Sequence, residues 1–419
     1  MSLHPILVAL RRHKAGVVLI ALQIALTLAI VCNAVFIIGQ RIERIHRPTG
    51  LDEKNLFTVE QTWVGAPTGD DPASIEKLDA MQREDLSTLR RLPGVVSAAA
   101  TNTMPLTNNS WSGGMSLKPD QKNPTARTVF YLGDEQLLPT LGLKLIAGRA
   151  FNAGDIQHQG FRDNSSPPIV IVSKPLADKL FPNGDALGKT VYFDGNRATT
   201  IVGIVARLQS SSTGSWSSGF DFNSVIEPVR LDAYFSRYVV RAAPGREQAV
   251  MEAARSALYA ANPMRVISDE PGDDNGIRTF AQIRDQAYRG DKGMAILMGV
   301  ICLILLGVTA AGIVGLTSFW VGQRHRQIGV RRALGARKID ILHYFQIENG
   351  LIAGAGVVLG VLLAVGLNQW LMSHYEMTRM PVLYVATGVL AMLAIGQAAV
   401  FVPARRASNV PPVVATRAA

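Results

Sequence analysis

The chain has 419 residues, of which 48% are hydrophobic and 18% charged, with two cysteines and a formal net charge of +10. Two cysteines exclude a disulfide scaffold. The placement of the charge excludes a nucleic-acid binder, because the excess lies in short basic pieces beside apolar runs.

Four windows hold no Asp, Glu, Lys or Arg: Ala15–Gln40, Gly293–Gln323, Asn349–Ser373 and Met380–Ala404. Each is long enough to cross a hydrocarbon core of about 30 Å as a helix. The first follows Arg11, Arg12 and Lys14. Its length exceeds a secretory apolar region of about 7–15 residues, so it reads as an uncleaved anchor.

Residues 41–292 form the long insert and are electrically neutral. The positive excess falls in residues 1–14, in 324–348 and in 405–419. By the positive-inside pattern these three pieces share the cytoplasmic side. The reading therefore places 1–14 inside, 15–40 across, 41–292 outside, 293–321 across, 322–348 inside, 349–372 across, 373–380 outside, 381–403 across and 404–419 inside. The fold class is an α-helical membrane protein with four transmembrane helices plus a large α+β extracytoplasmic domain between helices 1 and 2.

Within the insert, "LFTVEQTWV" alternates like a strand. "DPASIEKLDAMQREDLSTLRRLPGV" reads as a helix opened by Asp71-Pro72 and ended by Pro93-Gly94. "VVSAAATNTMPL" is a strand and turn, "PPIVIVS" a short buried strand, and "ADKLFPNG" a helix end. "TVYFDGNRATTIVGIVA" is a hairpin with Asp194-Gly195 at its tip. "SRYVVRAAPG", a strand, precedes the helix "REQAVMEAARSALYAANP". The Ser/Gly-rich stretch 209–224 reads either as a mobile loop or hairpin tip, or as a partner-binding loop carrying Trp216.

Chemistry is sparse. The seven histidines are scattered, no metal-ligand spacing occurs, and neither a Gly-x-Ser-x-Gly elbow nor a Gly-x4-Gly-Lys-Ser/Thr loop is found in these residues. Asp70-Asp71, Asp269-Glu270 and Asp273-Asp274 read as solvated turns. No catalytic residue, bound cofactor or metal is expected.

Two flanks of the membrane windows carry apolar stripes: Ile38, Ile42 and Ile45 after the first window, and Phe280, Ile283 and Ala287 before the second. They read either as juxtamembrane helix caps or as paired stalks that carry motion. Gly350/Gly354 and Gly356/Gly360 repeat at i, i+4, a spacing that lets membrane helices approach closely, within the chain or at a dimer seam.

The basic segment "QRHRQIGVRRALGARKIDILHYFQIENG" resembles the FtsX-like permease module of ABC transporters of the MacB type. Arg326, Ile328-Gly329-Val330-Arg331, Ala333-Leu334-Gly335-Ala336, Asp340-Ile341 and Glu348 fall at the family's places. Gln327 stands where the family usually has Glu. The tail "PARRASNVPPVVATRA" and the outer pieces "LGLKLIAGRAF", "KLFPNGDALGKTV" and "TTIVGIVA" resemble the same family.

The resemblance implies a permease subunit driven by a separate ABC ATPase that holds ATP and Mg. Coupling falls to the residues just named together with Arg332, Arg337 and Lys338, with Val330, Leu334, Ile341 and Phe345 near one docking face. On the residues alone, the cations serve a partner's acids or anionic lipid headgroups equally well. The resemblance further implies a bacterial inner-membrane dimer, homo- or heteromeric. A periplasmic adaptor and an outer-membrane channel would complete an efflux machine for a peptide, toxin, antibiotic or siderophore. Lipoprotein extraction of the Lol type and a non-transporting FtsX-type sensor are the alternatives.

Overall fold

A computed structural model describes residues 14–69, 71–161, 166–193, 196–214, 217–270, 276–375 and 378–409. In chain order the elements begin α1 (Lys14–Ile45), β1 (Leu56–Trp63), α2 (Pro72–Arg90), β2 (Val95–Thr101), β3 (Trp111–Ser116), β4 (Ala126–Leu132), α3 (Leu137–Leu141) and β5 (Leu145–Gly148). Next come β6 (Gln157–Gly160), β7 (Ile169–Ser173), α4 (Lys174–Leu180), β8 (Thr190–Phe193), β9 (Arg197–Val205), β10 (Ser224–Glu227), β11 (Val229–Asp232) and β12 (Phe235–Ala242). The last are α5 (Glu247–Ala261), β13 (Arg265–Val266), β14 (Ile277–Thr279), α6 (Phe280–Ala287), α7 (Arg289–Gln323), α8 (His325–Ala333), α9 (Lys338–Tyr375) and α10 (Val382–Ser408). Two compact units result: Arg47–Arg289, and the two flanks Met1–His46 with Gly290–Ala419.

In the flanking unit, α1, α7, α9 and α10 are each long and apolar enough to span a bilayer. The sequence dictates how they approach. Gly356 and Gly360 of α9 face α1: a Cβ at Gly356 would stand 2.7 Å from the Ala21 carbonyl oxygen, and one at Gly360 would stand 3.0 Å from Ala25 Cα. Gly350 lies beside Gln397 of α10, while Gly354 meets no neighbour within 4 Å.

The uncharged polar residues of these helices find partners across them, as lipid requires. Thr27 and Thr309 hydroxyls are 2.8 Å apart. Asn33 donates to the carbonyls of Ala29 and Ala364 at 2.9 and 3.1 Å, and Asn349 donates to the Gly396 carbonyl at 3.1 Å.

The inserted unit holds two sheets of note. One has strand order β13-β1-β12-β2, with β14 also beside β1. Its pairings are antiparallel. Phe57, Val59, Tyr238 and Val240 pack with Leu86 and Leu89 of α2 and with Val250, Ala254 and Leu258 of α5. The second sheet is mixed, of order β5-β9-β7-β10-β4-β3-β8, and the pairing of β8 with β9 closes it into a ring. Val170, Val172, Val191, Phe193, Ile201 and Val225 fill its core with Leu176 and Leu180 of α4.

Asp71 caps α2 by accepting from the Ser74 amide at 3.0 Å, with Pro72 in the first turn. β8 and β9 form the antiparallel hairpin; its tip, Asp194-Gly195, lies outside the described residues. So do Trp216, Asp70 and Asp273-Asp274.

The 209–224 stretch is mostly buried where it is described, with Gly214, Ser218 and Gly219 exposed. Gln209, Ser210, Ser211, Ser212, Ser217 and Ser224 are all buried. Serine side chains are small, and their hydroxyls bond locally to the backbone. Ser210 reaches the Ser212 carbonyl at 3.2 Å, Ser217 the Gly214 carbonyl at 3.0 Å, and Ser224 the Leu208 carbonyl at 2.8 Å.

Two buried carboxylates, Asp85 and Glu60, with their arginine partners brace β1. Arg265 grips both oxygens of Asp85 at 2.9 Å, and the Asp85 carboxylate also accepts from Gln61 at 2.5 Å and Tyr238 at 3.0 Å. On the alternate side chain of the strand, Glu60 accepts from Arg237 at 2.5 Å and from Arg278 at 3.3 Å.

Candidate functional site

The cationic segment between α7 and α9 folds as a helical hairpin arm. α7 stops at Gln323, and α8 starts after Arg324. α8 ends in a Schellman motif: the Ala336 amide bonds the Arg331 carbonyl at 3.1 Å, and the Gly335 amide bonds the Arg332 carbonyl at 3.2 Å. That reversal needs a left-handed residue, and Gly335 has φ +97°. Asp340 then caps the start of α9 by accepting from the Arg337 amide at 2.9 Å.

The arm has two faces. Ile328, Ile341 and Phe345 are buried in the same core as Trp320 and Val321, and Gly329 is buried beside them. Ile341 and Phe345, placed on the docking face by sequence spacing, thus pack inward. α9 starts a new helix after the reversal, so the period of α8 does not carry across it. Outward lie Arg326, Val330, Arg331, Leu334, Arg337 and Lys338, with Arg332, Ala336 and Asp340 half-buried. Leu334 is 83% exposed. Ile339, which the sequence reading passed over, is exposed at 54%; its apolar character beside two cations was the available signal.

The base of the arm is held by charge. Arg324 donates to both carboxylate oxygens of Glu348, at 3.0 and 2.8 Å, and approaches the Tyr344 hydroxyl at 3.4 Å. Glu348 is therefore a brace and not a contact surface. Sequence reasoning missed its partner because the two are 24 residues apart. Arg331 lies over the Tyr344 ring at 5.2 Å. Arg332 donates to the carbonyl of Ser408, tying the arm to the end of α10.

The two apolar stripes differ in setting. Ile42 is 47% exposed, with Ile38 and Ile45 half-buried. Phe280 and Ile283 are buried and Ala287 half-buried. α6 carries a capping box at Thr279 and Gln282. It is pinned within its own unit by Arg284, which donates to Glu53 at 3.0 and 2.5 Å. The helix is interrupted at Tyr288 instead of running on into α7, because α6 is committed to the sheet below it.

Carboxylates and a histidine also meet at Glu76, Asp79 and His158, whose ligand-type atoms lie within 4.8 Å of one another. Arginines already serve the carboxylates. Asp79 bonds Arg83 and Arg230 at 2.7 Å each, and Glu76 bonds Arg83 at 3.0 Å. His158 pairs with Asp232 at 3.1 Å, and burial raises the Asp232 carboxyl to about 7.

Residues 18–257 match the MacB-like periplasmic core domain family, and residues 299–412 match the FtsX-like permease C-terminal family. Among curated relatives, the macrolide export ATP-binding/permease protein MacB of Chromobacterium violaceum is 26% identical over 276 residues, 65% of this chain and 40% of that protein. The protein of the same name from Neisseria gonorrhoeae is 27% identical over 301 residues, 70% of this chain and 44% of that protein. The chain thus spans less than half the length of these two relatives. The crystal structure of the periplasmic region of MacB from Actinobacillus actinomycetemcomitans aligns with 58% of this chain and 96% of that one, at 18% identity and a TM-score of 0.32.

Proposed function

Because this chain belongs to the family that combines a MacB-like periplasmic core domain with an FtsX-like permease C-terminal domain, we propose that it is the membrane component of an ABC-type exporter. In this reading ATP and Mg are held by an ABC ATPase. The ATPase docks on the α8 arm from the cytoplasm. Both described ends of the chain then lie on the cytoplasmic side of a bacterial inner membrane, and the 47–289 unit lies outside.

One observation carries the docking part. An exposed leucine at a helix tip, flanked by exposed Val330 and Ile339 and ringed by Arg326, Arg331, Arg337 and Lys338, has the composition of an interface centre with a cationic rim. Arg324, Glu348 and the inward isoleucines fix the arm to the membrane helices, which suits it to transmit force.

The outward push would reach the outer unit through the segments bearing Ile38/Ile42/Ile45 and Phe280/Ile283/Ala287. Two copies of the permease, an adaptor and an outer-membrane channel complete the proposed machine. Its cargo in this reading is a peptide, toxin, antibiotic or siderophore; the relatives are named for macrolide export.

The test is Leu334→Asp together with Arg331→Glu. Neither side chain is part of the arm's inner core, so the variant should fold and insert as before. Fully burying a leucine stabilises by about 1.5–3 kcal/mol, so its loss together with a reversed charge should abolish copurification with the ATPase and stop export. Normal copurification with unimpaired export would assign these cations to lipid headgroups instead.

A further inference from the structure

Two buried amides in the membrane helices each lack one partner. Asn33 of α1 is 3% exposed and Asn368 of α9 is 4% exposed. Among the described residues, Asn33 Oδ1 has no donor and Asn368 Nδ2 has no acceptor. Asn33 precedes Gln40, and Asn368 precedes Ser373, at the outer ends of their uncharged windows. At the helical rise that is about 10 Å and about 8 Å of apolar helix. No bulk water reaches such a depth, so a polar atom left alone there is costly, and folded proteins rarely leave one.

Neither amide can be turned round. Asn33 Nδ2 donates to the Ala29 carbonyl at 2.9 Å and to the Ala364 carbonyl at 3.1 Å. Reversing this amide would set an oxygen against two oxygens. Asn368 Oδ1 accepts from the Met380 amide at 3.1 Å, and reversing it would set one N–H against another. Nor can either amide swing to the other without giving up the bonds it already makes.

The two unmatched atoms are neighbours. Ala364, whose carbonyl Asn33 holds, lies one helical turn before Asn368, and side chains on a helix lean toward its N-terminus. The Asn368 amide therefore stands over the turn that Asn33 touches. Ala29, Ala364 and Met380 belong to one buried cluster. Since one atom accepts and the other donates, the group that satisfies both must itself donate and accept. A cation would be repelled by Nδ2–H and an anion by Oδ1. A group enclosed among helices must also be small.

We propose that a single water molecule is held between these side chains, donating to Asn33 Oδ1 and accepting from Asn368 Nδ2. It joins α1, α9 and the entry of α10 at Met380 through one chain of hydrogen bonds. A bridge of this kind is nearly as favourable as a direct bond, and two protein partners lie within the usual range for a buried water. The site stands without the permease reading.

The test uses the full chain in lipid nanodiscs, with nitrogen-15 in its asparagines alone. The probe is water itself, followed by NOE and ROE cross-peaks to the side-chain amides. The Asn368 signal is assigned with Asn368→Asp, which keeps an acceptor for the Met380 amide. The Asn368 amide protons should show a cross-peak with the NOE-to-ROE ratio of a long-held water. In parallel, Asn33→Leu and Asn368→Leu should each lower the thermal transition by about 2–4 °C. The double variant should fall short of their sum, because removing both partners leaves no buried group unmatched. Thr27→Val combined with Asn368→Leu should be additive, since Thr27 bonds Thr309 instead.

Coupling without a held-water signal overturns the water in favour of direct contact between the amides. Additive effects of the two leucines overturn the bridge. The cross-peak is read on the unsubstituted chain, so its absence overturns the site even where a leucine variant fails to insert.

Discussion

Glu348→Gln should loosen the α8 arm without unfolding the protein. Glu348 has a side chain 3% exposed, and Arg324 one 11% exposed. Replacing the carboxylate leaves a guanidinium nearly buried without its counter-charge. Removing one partner of a buried pair costs about 3–5 kcal/mol. Arg324 can extend its stem toward the aqueous boundary, so the low end, about 3 kcal/mol, applies.

At 1.4 kcal/mol per tenfold, local opening becomes roughly a hundredfold more frequent. Native-state hydrogen exchange of the 325–333 amides reads that opening directly. The amides of the 47–289 unit should not change. The reciprocal swap Arg324→Glu with Glu348→Arg should recover most of the protection. Arg331→Gln, which removes only a cation–π contact of about 0.5–1 kcal/mol, should shift exchange a few-fold at most. Exchange within twofold of the parent chain in Glu348→Gln would refute the brace.

Further outcomes follow from other sites. Gly356→Val should lower the thermal transition in detergent, as overpacking costs about 1–3 kcal/mol, whereas Gly354→Ala, which meets open space, should be neutral; equal effects would contradict the α1–α9 contact. Burial raises Glu227 to about 7, with Arg197 opposing. Since the folded value exceeds the unfolded one, this site favours folding below about pH 4.5 and loses that contribution as pH rises toward 7. Thermal scans between pH 5 and 7.5 should therefore show stability falling with pH, and Glu227→Gln should flatten the slope; an unchanged slope would contradict it. Cysteines at exposed Ser256 and Ala333, in a chain whose native Cys32 and Cys302 are buried, should label on opposite sides of the membrane in intact spheroplasts, Ser256 alone reacting with an impermeant thiol reagent.

The membrane helices were legible because lipid imposes length and excludes charge, two properties a sequence displays openly. α2 was legible from Asp71, Pro72 and its apolar spacing, since capping is a local contract. What failed were inferences that needed tertiary neighbours. Ile341 turned inward because the arm folds back on the membrane helices. The serine-rich 209–224 stretch is largely buried because its small side chains satisfy their hydroxyls on carbonyls within and beside the stretch itself. Glu348, named for coupling by the resemblance, is buried against Arg324, a partner 24 residues away that spacing does not reveal.

The two buried carboxylates bracing β1 also bear on how the chain finds its register. Glu60 sits directly opposite Arg237 across the ladder, while Gln61 sits opposite Ser236 and serves Asp85. Successive strand residues point to opposite faces, so a slip by one position would carry the Glu60 carboxylate onto the side of Asp85. Two buried carboxylates would then face each other while Arg237 lost its counter-charge. Such an arrangement is penalised far beyond the loss of a few apolar contacts. The acidic–neutral dipeptide at 60–61 thus works as a checksum on register: of the neighbouring alignments that apolar burial alone would tolerate, the buried charges disfavour the wrong ones.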